Sequence, residues 1–237
     1  RRTSRPKTIS PAGSAKGEEQ MTQHIQRELE KLKKMILALS AVVEETVQQA
    51  VQSLATMDLA LAEKVIGGDE VVDQMEVDLE EECLKILALH QPVAADLRFI
   101  ISVLKINNDL ERIADLAVNI AERTRGLNEV GKIPPPFDYP EMGRKVQAML
   151  KQALDALVNL DERAARQTCT LDDEVDTQHR ENYALVKEQI RQHPERIDAL
   201  VQYLSVSRHL ERIADLATNI AEDVLYMIEG EIVRHTL

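Results

Sequence analysis

Apolar side chains recur at steps of three or four along most of this chain. Leu29, Leu32, Ile36, Leu39, Val43, Thr46, Ala50 and Leu54 form the first such stripe, which is the period of an amphipathic α-helix. "TMD" at 56–58 turns the chain, with Asp58 placed to cap the next helix. That helix is predicted to reach about Leu89, weakened at Gly67–Gly68, and "HQP" at 90–92 ends it. A third helix runs from about Val93 to Arg125. At about 30 residues and 1.5 Å per residue, each is roughly 45–50 Å long. Helices of equal length joined by short turns predict an up-down-up bundle.

The programme then restarts. "GLNEVGKIPPPFDYP" holds three consecutive prolines and cannot be helical there. Met142, Val146, Met149, Ala153, Leu157 and Leu160 begin a fourth helix; "NLD" at 159–161 answers "TMD", and "QHP" at 192–194 answers "HQP". The last helix is expected from about Glu195 to Ile228. Leu110–Glu122 and Leu210–Glu222 differ at one position, Val118 against Thr218. The predicted fold class is therefore all-α: two tandem antiparallel three-helix bundles, six long helices related by an internal repeat. The expected division is a disordered basic tail over 1–20, a first bundle over 21–126, a Pro-rich linker over 127–140 and a second bundle over 141–237.

Composition agrees with this reading: 44% of residues are hydrophobic, 3% aromatic and 30% charged, with no Trp. The net charge is −12, although residues 1–17 carry only basic charges. An acidic body argues against nucleic acid as the partner and suits cations or basic protein surfaces. Cys83 and Cys169 fit no disulfide or CxxC pattern, so both read as small core residues of a reduced, cytoplasmic protein. No apolar run approaches the roughly 18–20 residues of a membrane span, and no secretory signal is visible.

Candidate chemistry lies in the acids. On a wheel of about 100° per residue, Asp115 falls about 40° from Glu111, while Ile113, Leu116 and Ile120 lie on the opposite side. "DEVVD" places Asp69 and Asp73 four apart on the preceding helix, and "DDEVD" places Asp172 and Asp176 likewise in the second half, with Glu211 and Asp215 facing them. Counted from the interhelical turns, antiparallel neighbours bring these pairs level within roughly 3 Å. Four carboxylates at one height repel unless a cation or protons neutralise them. An oxygen-rich set suits hard cations such as Mg²⁺, Ca²⁺ or Mn²⁺, or iron. Two plainer accounts compete. The stripes are solvated helix faces, or Asp69 after Gly67–Gly68 and Asp172 after Thr170 are N-caps, which accounts for one acid per pair.

Catalysis finds little support. Di-metal carboxylate enzymes use Glu-x-x-His on facing helices; Asp176-x-x-His179 comes nearest, and the first half has no counterpart. His90 and His193 sit at turns, and His209 replaces Asp109 in the repeat. Arg98 and Lys105 read as surface cations. No Walker A, GxGxxG or GxSxG motif occurs.

The segment "ALHQPVAADLRFIISVLKINNDLERIADLAVNIAE" closely resembles the PhoU family of bacterial phosphate-uptake regulators, and the likeness covers about residues 22–229. It implies two three-helix bundles, each with an E/D-xxx-D motif that binds a multinuclear metal cluster, with iron or zinc as the metals. The motif falls on Glu111/Asp115 and Glu211/Asp215, paired with Asp69/Asp73 and Asp172/Asp176. Ala114 and Ala214 stand where the family often has Gly. The resemblance further implies a non-enzymatic homodimer at the cytoplasmic face of the phosphate ABC transporter. There it would restrain uptake and help a sensor histidine kinase hold phosphate-starvation genes off. A metal-free helical adaptor is the alternative, with a carboxylate-metal enzyme behind it.

Overall fold

The computed structural model describes residues 12–131 and 133–230, and every regular element among them is helical. Helix α1 spans Ala12–Thr56, α2 Leu59–Ile66, α3 Asp69–His90, α4 Ala94–Val130, α5 Tyr139–Asn159, α6 Glu162–Gln192 and α7 Ile197–Glu229, with a 3₁₀ turn at Pro194–Arg196. Helices α2 and α3 are one rod interrupted at Gly67–Gly68, where the apolar stripe is weakest. The first bundle is α1 to α4 and the second α5 to α7.

Most predicted boundaries hold within a few residues; two differ. Helix α1 begins at Ala12, inside the predicted tail, because extending an existing helix through Ala, Lys, Glu and Gln needs no new nucleus. Residues 1–11 of that tail lie outside the described residues. Helix α4 continues to Val130, through the start of the predicted linker, because Leu127 is buried in the core and outweighs Gly126.

The caps follow the sequence. Asp58 and Asp161 accept hydrogen bonds from the backbone N–H of Leu61 and Ala164 at 3.0 and 3.1 Å. Each follows a non-glycine residue in the left-handed region, Met57 (φ 54°) and Leu160 (φ 50°). Asp138 caps α5 through Glu141 N–H. The linker is pinned by aromatic contacts: Tyr203 lies 5.7 Å from Tyr139 and 6.4 Å from Phe137 between ring centroids, and Tyr139 Oη donates to Leu54 O.

The predicted stripe of α1 is the core face: Leu32, Ile36, Leu39, Val43, Ala50 and Leu54 are buried, with Val47 deeper than Thr46. Between bundles, α4 against α7 is the most extensive of all helix pairings. Lys105 Nζ donates to Asp223 Oδ1 at 3.0 Å, and Arg123 Nη1 to Gln202 Oε1 at 3.1 Å. These pairs run oppositely along the two helices, so α4 and α7 are antiparallel and the starts of the repeated segments, 110–116 and 210–216, lie level. Ile113, Ala114, Leu116, Ala117, Ile120 and Ala121 are buried, as are their equivalents one hundred residues on. Each copy of the segment packs both into its own bundle and across the join.

Another face buries Glu82 beside two lysines. Glu82 of α3 is held by Lys31 Nζ at 2.6 Å and Lys85 Nζ at 2.9 Å. Burial pushes its carboxyl up, but the hydrogen bonds from Lys31 and Lys85 outweigh burial and bring it down to about 2.

Helices α1 and α5 meet at Gly143, where an added Cβ would lie 2.7 Å from Val51 Cγ1. A helical valine has little χ1 freedom to yield. Gly143→Ala is expected to destabilise by about 1–2 kcal/mol through overpacking, despite a gain of up to about 1 kcal/mol in helix propensity. Adding Val51→Ala should relieve the clash. Chemical denaturation midpoints measure both, and a stabilised single variant would refute a tight α1–α5 join.

Candidate metal centres

In the first bundle, the break at Gly67–Gly68 sets where α3 begins and so puts Asp69 in its first turn. The N-cap is Gly68, and no side-chain capping bond is made; the N-cap account of Asp69 therefore fails. Its Oδ1 is buried without a hydrogen-bond partner. Asn107 Nδ2 donates to Glu76 O and Oε1 at 3.0 and 3.1 Å, which registers α4 against α3. That register sets Asp73 level with Glu111 and Asp69 level with Asp115, as the turn counting predicted.

In the second bundle, α6 runs unbroken from Glu162 to Gln192. Asp172 is thus in mid-helix, and the N-cap account fails here too; its Oδ1 is also buried and unpartnered. His179 Nδ1 and Asn182 Nδ2 lie 2.9 and 3.0 Å from Ser207 Oγ, which registers α6 against α7. Asp172, Asp176 and Asp215 each offer an oxygen within 4.8 Å of the others. Glu211 stands beside this trio. Among the described residues, no three acids of the first bundle converge as closely.

Burial and mutual repulsion govern the electrostatics. Burial, then Asp73 and Asp115, push the Asp69 carboxyl up. Glu111 is raised by burial and by Asp115 and Asp73, and Asp115 by burial and Asp73. Asp172 is pushed up to about 6 by burial and by Asp215 and Asp176. Burial, Asp215 and Asp176 raise Glu211; burial and Asp176 raise Asp215. In the first bundle Arg112 lies on Asp109 and Arg123 on Glu122; in the second, Arg212 partly offsets the rise of Glu211 and Asp215, and Arg208 that of Glu211. The face is mixed: Asp69, Glu111, Asp172, Asp176 and Glu211 are partly covered, whereas Asp73, Asp115 and Asp215 are exposed. Orphaned buried carboxylate oxygens among like charges are a donor set that fits a cation.

Two neighbours lie outside the eight predicted acids. Glu76 extends the first stripe by one turn, raised by burial, Glu80 and Asp73. His179 extends the second, its imidazole lowered by burial against the attraction of Asp176. The spacing Asp-x₃-Asp-x₂-Glu/His carries both.

A raised carboxyl binds its proton more tightly in the folded chain than in the unfolded one. Without metal, the resulting penalty is fully present above about pH 6 and fades as pH falls toward about 4. Metal-free Asp172→Asn is therefore expected to exceed metal-free wild type by about 1–2 kcal/mol near pH 7.5, with the gain gone near pH 4. Urea unfolding in chelator at both pH values checks this; an equal or lower stability at pH 7.5 would refute mutual repulsion at this site.

Comparison with known proteins places these features. The PhoU domain family matches residues 36–124 and 139–224, one match per bundle. The chain is 38% identical over 216 residues to the phosphate-specific transport system accessory protein PhoU homolog of Pseudomonas aeruginosa, covering 91% of this chain and 89% of that one. It is 36% identical over 209 residues to the homolog of the same description from Aquifex aeolicus, covering 88% and 95%. The crystal structure of PhoU from Pseudomonas aeruginosa superposes with a TM-score of 0.83 over 87% of this chain and 99% of that one, at 38% identity. The phosphate transport system regulatory protein PhoU from Streptococcus pneumoniae gives 0.78 over 88% and 99%, at 33% identity. A family match in each bundle, together with relatives 38% and 36% identical over about nine-tenths of the chain, establishes that this chain belongs to the PhoU family.

Proposed function

We propose that this protein is a metal-binding negative regulator of high-affinity phosphate uptake and of the phosphate-starvation response. It acts in the cytoplasm as a homodimer, through the phosphate ABC transporter and its sensor histidine kinase, and carries out no catalysis. The observation that carries the reading is the match, over about nine-tenths of the chain, to accessory proteins of the phosphate-specific transport system. Among the described residues no helix is long and apolar enough to cross a membrane, in keeping with a peripheral role.

The metal assignment rests on the geometry. Asp69, Asp73, Glu111 and Asp115 would hold one ion or cluster, and Asp172, Asp176, Glu211 and Asp215 the other. Bound iron or zinc would supply positive charge, not turnover. The carboxylates would then tie α3 to α4 and α6 to α7, holding each bundle in one packing. The metal-free adaptor differs in a measurable way. Protein purified without chelator is expected to carry stoichiometric metal, lost in the Asp115→Ala, Asp215→Ala double variant; elemental analysis that finds no metal in wild type would favour the adaptor.

Deleting the gene is expected to raise alkaline phosphatase activity in high-phosphate medium. Wild type should restore repression. The variant Glu111→Ala, Asp115→Ala, Glu211→Ala, Asp215→Ala should not, although its circular dichroism stays helical. Unchanged phosphatase in the deletion strain would overturn the regulatory reading, and full rescue by the variant would remove the metal from it.

A further inference from the structure

The seam between α4 and α7 carries a groove at one end and repeats at the other with the two helices exchanged. The groove at the first end has a volume of about 640 Å³, and Lys105, Asn108, Asp109 and Arg112 of α4 line it with Asn219 and Glu222 of α7. Positions one hundred apart are equivalent. At the second end the lining positions of α7 therefore fall to Ser205, Arg208, His209 and Arg212, facing Asn119 and Glu122 of α4. Arg123 answers Asp223.

These exchanges reverse the charge. At the first end each cation has an acid: Lys105 Nζ meets buried Asp223, and Arg112 Nη1 meets buried Asp109. Together with Glu222 the groove is left slightly negative. At the second end His209 stands for Asp109, Arg123 for Asp223 and Arg208 for Asn108. Three guanidinium groups there answer one carboxylate, Glu122. The surplus is two positive charges, in a chain whose net charge is −12.

Contacts and helix geometry bring the three arginines together. Arg123 Nη1 donates to Gln202 Oε1 across the seam at 3.1 Å, its Nη2 to Glu122 Oε2 at 3.1 Å and its Nε to Asn119 O at 3.4 Å. Those bonds fix the guanidinium and leave two of its five N–H groups uncommitted. Arg208 and Arg212 are neighbours one turn apart on α7. Side chains lean toward the N-terminus of their own helix, so across an antiparallel seam Arg208 and Arg123 lean toward each other. All three act on one ring: burial, then Arg123, Arg212 and Arg208, push the His209 imidazole down against the attraction of Glu122. Surface arginines are ordinarily just solvated, and these two also offset Glu211. Among the described residues, however, neither Arg208 nor Arg212 makes an ion pair.

A guanidinium fork matches the oxygen edge of a phosphate and grips it through paired N–H bonds. A surplus of two positive charges is balanced by a dianion, whereas a single carboxylate balances half of it.

We propose that Arg123, Arg208 and Arg212 form a binding site at the second end of the seam for a dianionic oxyanion: phosphate, as the free ion or as the phosphoryl group of a phosphate monoester. The first end, with its acids in place, takes none. The site needs neither bound metal nor the regulatory role proposed above. Its arginines come from both bundles, so an occupant bridges them.

The test uses the full chain, stripped of metal and dialysed free of chelator, so that no metal can hold the anion. Titration calorimetry with inorganic phosphate and, separately, with glycerol phosphate should show a single saturable site. Arg208→Gln combined with Arg212→Gln should weaken binding by about 10–100-fold. His209→Asp, which restores the acid of the first end, should weaken it too, and Arg112→Gln at the first end should leave it unchanged. Inorganic phosphate bound at least as tightly as the ester identifies the free ion as the occupant; tighter binding of the ester identifies a phosphoryl group. Wild type that binds neither at up to about 10 mM would overturn the inference, whatever the folding of the variants, and leave the metal and regulatory readings standing. Binding that persists undiminished in the folded double variant, or that Arg112→Gln weakens equally, would do the same.

Discussion

Helices α4 and α7 pack antiparallel through two copies of one segment, and both bundles are built on that contact. Ile113, Leu116 and Ile120 fill one side of α4, and Ala114, Ala117 and Ala121 an adjoining side; α7 repeats the arrangement. Aliphatic side chains supply burial worth about 1.5–3 kcal/mol each, while alanines let helices approach closely. Only one sector of each helix is left for charge. The neighbouring helix, α3 or α6, lies along the edge of that sector, so Glu111 and Glu211 end up half-covered. The same packing that joins the bundles thus presses the acids of adjacent helices together.

The consequence is a standing electrostatic cost, visible by contrast with Glu82. There burial is answered by two lysines, and the carboxyl is drawn down to about 2. At Asp172 burial is met by further carboxylates, and the group is driven up to about 6. Glu82 is neutralised by lysines, whereas the half-buried Asp69, Glu111, Asp172 and Glu211 face further carboxylates. On the proposed reading a cation relieves the repulsion, so binding and bundle stability are linked by mass action. Metal status is then also a structural status, read by whatever docks on the helices.

Much of the site was legible because helical spacing is regular. Acids four apart on one helix, counted from a turn against acids four apart on the next, must lie level if the helices are antiparallel; the Glu76–Asn107 and His179–Ser207 contacts set that register. What the count missed was lateral geometry. It made the two groups equal, whereas Asp172, Asp176 and Asp215 converge and the first bundle's acids stay further apart. Rise along an axis follows from residue number, but rotation and spacing of neighbouring helices depend on every side chain between them.

By itself the sequence determined the helices, their turns, the duplication and the eight acids, because periodicity, caps and prolines act within a few residues. Its similarity to other chains carried the family. Only the tertiary structure decided that α4 pairs with α7, that Asp69 and Asp172 bury an oxygen apiece rather than cap a helix, and that His179 rests on Ser207 where Glu76 rests on Asn107. Those facts join residues tens to more than a hundred positions apart, and such contacts exist only once the chain has closed on itself.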